Sequence, residues 1–189
     1  GALFRTAQET LRAAGHTVVT SDLYAITFDP VSDRRNFTTV KNPEFFKQQI
    51  EEMHATEVGG FAPDVKAELH KLESCDLMIW QFPLWWFGLP AILKGWFDRV
   101  WVSGLAYNPP NGTNHITAKL TNIRRLMVVT THGSSKWMNA VQGEPGKRVM
   151  FRAIRLMCHP LTRTSWTALY KIDRASDEQC AAFLRRIDR

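Results

Sequence analysis

The chain has 189 residues, a formal net charge of +6, 44% hydrophobic residues and 22% charged residues. That length suits one domain, residues 1–189, able to bury about 70% of the surface its unfolded chain exposes, so neither disulfides nor a structural metal are required. No apolar run approaches the roughly 18 residues needed to span a bilayer, which argues against a membrane-embedded protein, and no signal peptide opens the sequence as given.

Three scattered cysteines, Cys75, Cys158 and Cys180, form no CxxC pair and read as reduced thiols of a cytoplasmic protein. The basic residues are mostly dispersed, so the positive charge points to no nucleic-acid partner. Their densest group is Lys147, Arg148, Arg152 and Arg155, followed by Arg163. It reads either as a solvated helix face or as a contact for the phosphates of a dinucleotide. Asn36-Phe37-Thr38 and Asn111-Gly112-Thr113 are formal glycosylation sequons that carry little weight without an export signal.

Helical and strand periods alternate along the chain. Leu3, Phe4, Ala7, Leu11 and Ala14 recur at helical spacing, and Gly15 ends the run. His16 to Tyr24, with Val18 and Val19, reads as a strand. Residues 25–40 are polar and irregular. Pro43 is expected to open a short helix carrying Phe45, Phe46 and Ile50, and Gly59-Gly60 breaks the chain. Pro63 starts a helix through Val65, Leu69 and Leu72.

Cys75 to Phe82 is almost uninterruptedly apolar, as in a strand buried on both faces. Pro90 begins the next helix, to about Trp101, and Pro109-Pro110-Asn111-Gly112 supplies turn chemistry in a long loop. Leu126 to Thr130 is a second buried strand, Pro145 to Met157 is helical, and Thr164 to Ile172 is an edge or late strand with Trp166, Ala168 and Tyr170 on one side. Ser176 and Gln179 form a capping box for a last helix. Strands alternating with helices predict an α/β doubly wound parallel sheet covered on both faces. Such a domain normally opens on its central strand; this chain opens on a helix, so an N-terminal strand and its loop are expected to be missing from it.

The informative stretch is Gln81 to Trp101, QFPLWWFGLPAILKGWFDRVW, which begins where a buried strand ends. Ligands of open α/β sheets bind at the carboxyl ends of strands. Five of the seven Trp lie between Trp80 and Trp101, and each can bury about 150–250 Å². Trp80, Trp96 and Trp101 suit a core or a subunit interface. Trp85, Trp86 and Phe87 lie on a loop before a helix-starting proline, where packing alone does not ask for three consecutive large rings. Amides near a helix start can donate to an electron-rich ring edge, and a flat ring with acceptors along one edge, an isoalloxazine, suits that geometry.

FPLWWFGLPAILKGWFDRV resembles the corresponding segment of the NAD(P)H:quinone oxidoreductases of the DT-diaphorase type and their bacterial relatives, among them modulators of drug activity and ancillary proteins of potassium-efflux systems. The opening GALFRTAQETLRAAGHTVVTSDLYAITFDP resembles the first helix and second strand of that flavodoxin-like family, and Thr130-Thr131-His132-Gly133 stands where the family has a Thr-Thr-Gly-Gly turn beside the flavin. The resemblance implies a flavin, FMN or FAD undecided, with NAD(P)H as co-substrate, a quinone-like acceptor and a homodimer. It implies that Pro83, Leu84, Trp85, Trp86 and Phe87 meet one flavin edge, that Thr130, Thr131, His132 and Gly133 meet another, and that Trp86 and Phe87 line the pocket where nicotinamide and quinone bind in turn. Hydride would pass to the flavin and then to the acceptor in a ping-pong cycle.

Three departures from the family pattern stand out. The family's first strand and loop, with a His and a Ser-x-Asn near the flavin phosphates, have no counterpart here. His132 replaces a glycine, and reads either as a flavin contact or as a solvent-facing turn residue. The Tyr and His that take up charge in the best-known members are absent from Lys136 to Pro145, so no catalytic residue is assigned. No GxGxxG, P-loop, GxSxG elbow or metal-ligand spacing occurs. Lys94 and Arg99 read as solubilising the outer face of their helix. The alternative function is a flavin-binding regulatory subunit attached peripherally to a potassium-efflux transporter. A flavodoxin-like one-electron carrier is disfavoured, because the chain is basic and carries the PAILKGWFDR helix.

Overall fold

The computed structural model describes residues 1–110, 112 and 115–188; the Asn111 sequon and part of the Pro-Pro-Asn-Gly turn lie outside the described residues. In chain order the elements are α1 (Ala2–Ala13), α2 (Gln48–Val58), α3 (Pro63–Ser74), β1 (Leu77–Pro83), α4 (Ala91–Val100), β2 (Tyr107–Asn108), β3 (Thr117–Ala118), β4 (Arg125–His132), α5 (Lys136–Val141), α6 (Pro145–Arg148), β5 (Arg163–Tyr170) and α7 (Asp177–Ile187). Helix α6 runs on through a π turn, Val149–Ile154, and a 3-10 turn, Arg155–Met157.

Strands β1, β4 and β5 form a parallel sheet in that order, with Trp80 opposite Val128 and Val128 opposite Trp166. Short β2 and β3 pair antiparallel beside it. Met78, Trp80 and Phe82 share one face with Leu126, Val128 and Thr130, because side chains alternate along a strand. That face carries the main core, with Val65, Leu69 and Leu72 of α3 and Leu93, Trp96, Phe97 and Val100 of α4. The Trp80 ring stands 5.0 Å from that of Trp96 and 4.8 Å from that of Phe97, so Trp96 is core. From the opposite face Gln81 donates its side-chain amide to the Leu3 carbonyl at 3.1 Å, which sets α1, packed against α7, on that side. Helices therefore cover both faces, as the sequence pattern predicts.

Two expected elements differ. The stretch 16–24 forms no strand. Among the described residues no neighbouring strand takes up its backbone groups, and side chains hold it instead: the Ser21 hydroxyl donates to buried Glu68 at 2.7 Å, and Lys71 donates to the Thr20 carbonyl at 3.3 Å. Nor does Pro43 open a helix. The Asn42 side chain accepts from the Glu44 and Phe45 amides at 2.9 and 3.3 Å, a local turn that competes with helix formation, and α2 starts only at Gln48. Other signals hold: Gly59 caps α2 at φ +69°, Pro63 opens α3, and Ser176 and Gln179 exchange the two bonds of a capping box.

Arg99 does not lie on a solubilised face. Its side chain is 4% exposed and donates to Asn36 Oδ1, the Asp29 carbonyl and Asp64 Oδ2, each at 2.7 Å. The glycine in the middle of α4 has the same cause. A Cβ at Gly95 would stand 2.2 Å from the Pro30 carbonyl oxygen, so only glycine lets residues 28–36 close over the helix. Asn36 is consequently buried within the fold, where no glycan fits. Lys94, by contrast, is exposed and pairs with Asp98 at 2.5 Å.

Candidate active site

β1 ends in Pro83 and β4 in His132, side by side at the carboxyl edge of the sheet. The Leu84 amide donates to the Thr131 carbonyl at 2.8 Å, extending the ladder one residue past β1. The chain then reverses in a tight turn, with Trp85 and Gly88 exchanging backbone hydrogen bonds of 3.2 and 2.9 Å. Its central residues, Trp86 and Phe87, have φ of +50° and +62°. Two consecutive left-handed residues favour Asn-Gly; two bulky aromatics there store backbone strain, which characteristically sits at functional sites. The turn is held from below by the Gly146 amide, which donates to the Phe87 carbonyl at 3.0 Å. A Cβ at Gly146 would come within 2.9 Å of the Leu84 side chain.

Leu84, Trp86, Phe87, His132, Gly133 and Ser134 line a cleft of about 250 Å³. The Trp86 side chain is 97% exposed, an indole held out into solvent by a strained backbone. Among the described residues, no hydrogen bond engages the amides of Trp86, Phe87, Gly133 or Ser134. The cleft thus offers apolar walls and four unused donors, and its lining carries no cationic side chain.

His132 is 3% exposed, so it is not a solvent-facing turn residue. Its ring lies against Tyr170, 4.5 Å away, and its Nδ1 is 2.9 Å from Asn139 Oδ1. Burial pushes the imidazole below its ordinary value of 6.5, against the opposing effects of the Asn139 hydrogen bond and the Glu144 charge, and so favours the neutral ring.

Of the residues marked in the sequence, the structure brings Leu84, Trp86, Phe87, His132 and Gly133 to one cleft. Pro83, Trp85, Thr130 and Thr131 are not among the residues that line it; the Thr130 side chain is buried, the Leu84 amide is spent on the Thr131 carbonyl and the Trp85 amide on the Gly88 carbonyl. The sequence pattern marks neither Ser134 nor Asn139; Asn139 lies in the stretch without the family's Tyr and His, and the signal for it is an amide side chain seven residues after His132. The basic group does not converge here: Arg163 stands at the amino end of β5, Arg155 donates to the carbonyls of Pro160 and Thr162, and Lys147 pairs with Glu144 at 3.3 Å.

A family model described as the flavodoxin-like fold matches residues 1–187. The chain belongs to this flavodoxin-like family. It is 44% identical over 146 residues to NAD(P)H dehydrogenase [quinone] 1 of Rattus norvegicus, covering 77% of this chain and 52% of that protein. It is 39% identical over 139 residues to the ribosyldihydronicotinamide dehydrogenase [quinone] of Homo sapiens, covering 72% and 58%. The chain thus spans about half the length of the curated relatives it matches. A candidate quinone reductase from Klebsiella pneumoniae superposes on the whole chain and 78% of its own, with a TM-score of 0.85 and 29% identity. Among the described residues no helix is long and apolar enough to cross a membrane.

Proposed function

We propose that this chain is a flavin-dependent NAD(P)H oxidoreductase that reduces quinones or related acceptors by two-electron transfer. The observation that carries the reading is the cleft at the carboxyl ends of β1 and β4, walled by the Trp86–Phe87 turn and rimmed by four amides without partners. Those groups fit an isoalloxazine. The amides of Trp86, Phe87, Gly133 and Ser134 would hold its acceptor edges, Leu84 would support the ring, and the Trp86 and Phe87 side chains would receive nicotinamide and quinone in turn. The cleft lining lacks a cation, so it suits the ring rather than a phosphate, and FMN and FAD present the same ring. When bound, the flavin would supply the hydride chemistry; the protein supplies position and exclusion of water. Covering about 100 Å² of the exposed Trp86 indole would contribute about 2.5 kcal/mol to ligand binding.

The reading extends to a homodimer working in the cytoplasm. The exposed Trp137 and Val141 of α5, the helix that follows Ser134, support a second protein surface beside the cleft. The test is an absorption spectrum of the purified protein with added FMN or FAD. Flavin bands that bleach with NADPH and return with a quinone are expected. A protein that binds neither flavin would overturn the reading.

A further inference from the structure

The edge of the sheet opposite the cleft gathers arginines that nothing in the site uses. Arg125 opens β4 and Arg163 opens β5, and the two stand side by side in the ladder. The Arg163 amide donates to the Arg124 carbonyl at 3.0 Å, which brings a third arginine to the same edge. All three are exposed, and among the described residues none is in an ion pair. Asp76 accepts from the Arg124 and Arg125 amides through its backbone carbonyl, at 2.8 and 3.2 Å, and its carboxylate pairs with neither side chain. No Asp or Glu occurs from residue 145 to residue 172, so the helix and turn that lead into β5 bring no acid to balance this charge.

Beside these arginines a fixed turn holds leucines out of the fold. The Arg155 guanidinium donates to the Pro160 carbonyl at 2.9 Å and to the Thr162 carbonyl at 3.1 Å, and the buried Thr162 hydroxyl donates to the Ile123 carbonyl at 2.8 Å. Residues 160–162 are thereby pinned both to the last helical turn, which carries Leu156, and to the residues that enter β4. Leu156 is 62% exposed and Leu161 79%. Turns favour Gly, Asn, Asp or Ser. A lone exposed leucine needs no explanation; two on one pinned turn, next to three unpaired cations, make an amphipathic patch. A second copy laid on it symmetrically would set the arginines against themselves. A nucleic acid would neutralise the arginines and leave the leucines in water, and an acidic protein would need a pocket shaped to them. An anionic bilayer surface takes both groups without any complementary shape.

We propose that the amino edge of the sheet is a peripheral membrane contact, in which Arg124, Arg125 and Arg163 meet the phosphates of an anionic lipid surface while Leu156 and Leu161 enter its headgroup layer. The cleft lies at the carboxyl edge, so the docked protein keeps it open to solution. The contact does not depend on what the cleft binds.

The test is sedimentation of the purified protein with vesicles of equal parts phosphatidylcholine and phosphatidylglycerol, and with vesicles of phosphatidylcholine alone. Binding is expected to the first and not to the second, and it should weaken as salt is added. Arg125→Gln and Arg163→Gln should each lower the partition coefficient about fivefold, and Leu161→Ser about tenfold, the effect of covering one leucine side chain. These side chains are exposed, so the variants should melt as the wild type does. No sedimentation with the anionic vesicles, or equal sedimentation with both kinds, would overturn the proposal. So would a Leu161→Ser variant that binds as the wild type does while the arginine variants do not, because that result assigns the edge to a soluble polyanion. Light scattering tests the remaining occupant: if the wild type is an oligomer that Leu161→Ser dissociates, the face lies between copies and the proposal falls.

Discussion

Replacing Trp86 with glycine should make the protein more stable and a poorer flavin binder. Trp86 sits at φ +50° in the turn closed by Trp85 and Gly88, and a non-glycine residue in the left-handed region costs about 1–2 kcal/mol. Its side chain is 97% exposed, so truncation removes almost no packing. Glycine returns about 0.4–1 kcal/mol to the unfolded chain as extra freedom, which leaves a net gain of about 0.5–1 kcal/mol. For a domain of this size that is a rise of about 1–4 °C in Tm. Calorimetric melting of the flavin-free protein measures it, and FMN titration measures the weaker binding that follows from loss of the indole wall. A Tm that falls, or a variant that binds FMN as well as the wild type, would refute the argument that this turn holds strain for the sake of a ligand.

Gly95→Ala should destabilise the fold by about 1–3 kcal/mol in urea unfolding, because the added carbon meets the Pro30 backbone. Arg99→Met should cost about 3 kcal/mol or more by the same assay, since it strips the Asn36 and Asp29 oxygens of a buried donor. Stability should also respond to acid through His132. Its pKa is lowered in the folded state, so the unfolded chain binds the proton first, and stability present above about pH 6.5 is lost as pH falls toward the folded value. Comparing urea midpoints of wild type and His132→Phe at about pH 7.5 and about pH 5 checks this; equal acid sensitivity in both would exclude His132 as its source. Burial pushes the Cys75 and Cys158 thiols up to about 11 and about 12, so neither should react with a thiol reagent in the native protein at neutral pH, and both should react once it is unfolded.

Much of the architecture is written locally. Continuous apolar runs make β1 and β4, Pro63 and Ser176 start their helices, and Gly59 ends one, because each such signal acts through a residue's own backbone preferences or its neighbours a few positions away. Aromatic residues on a loop at a strand end likewise mark Pro83 to Phe87 as a candidate site, and Leu84, Trp86 and Phe87 do line a cleft. The segment 16–24 could not be read this way: its β-branched residues favour a strand, but a strand also needs a neighbour for its hydrogen bonds, and neighbours are a tertiary matter. The burial of Arg99 and the need for Gly95 depend on residues 28–36, more than sixty positions away along the chain. For His132 the sequence left a turn residue and a ligand contact equally open. Tertiary structure removed the first of these by burying the ring against Tyr170 and Asn139, because burial depends on neighbours that the local sequence does not name.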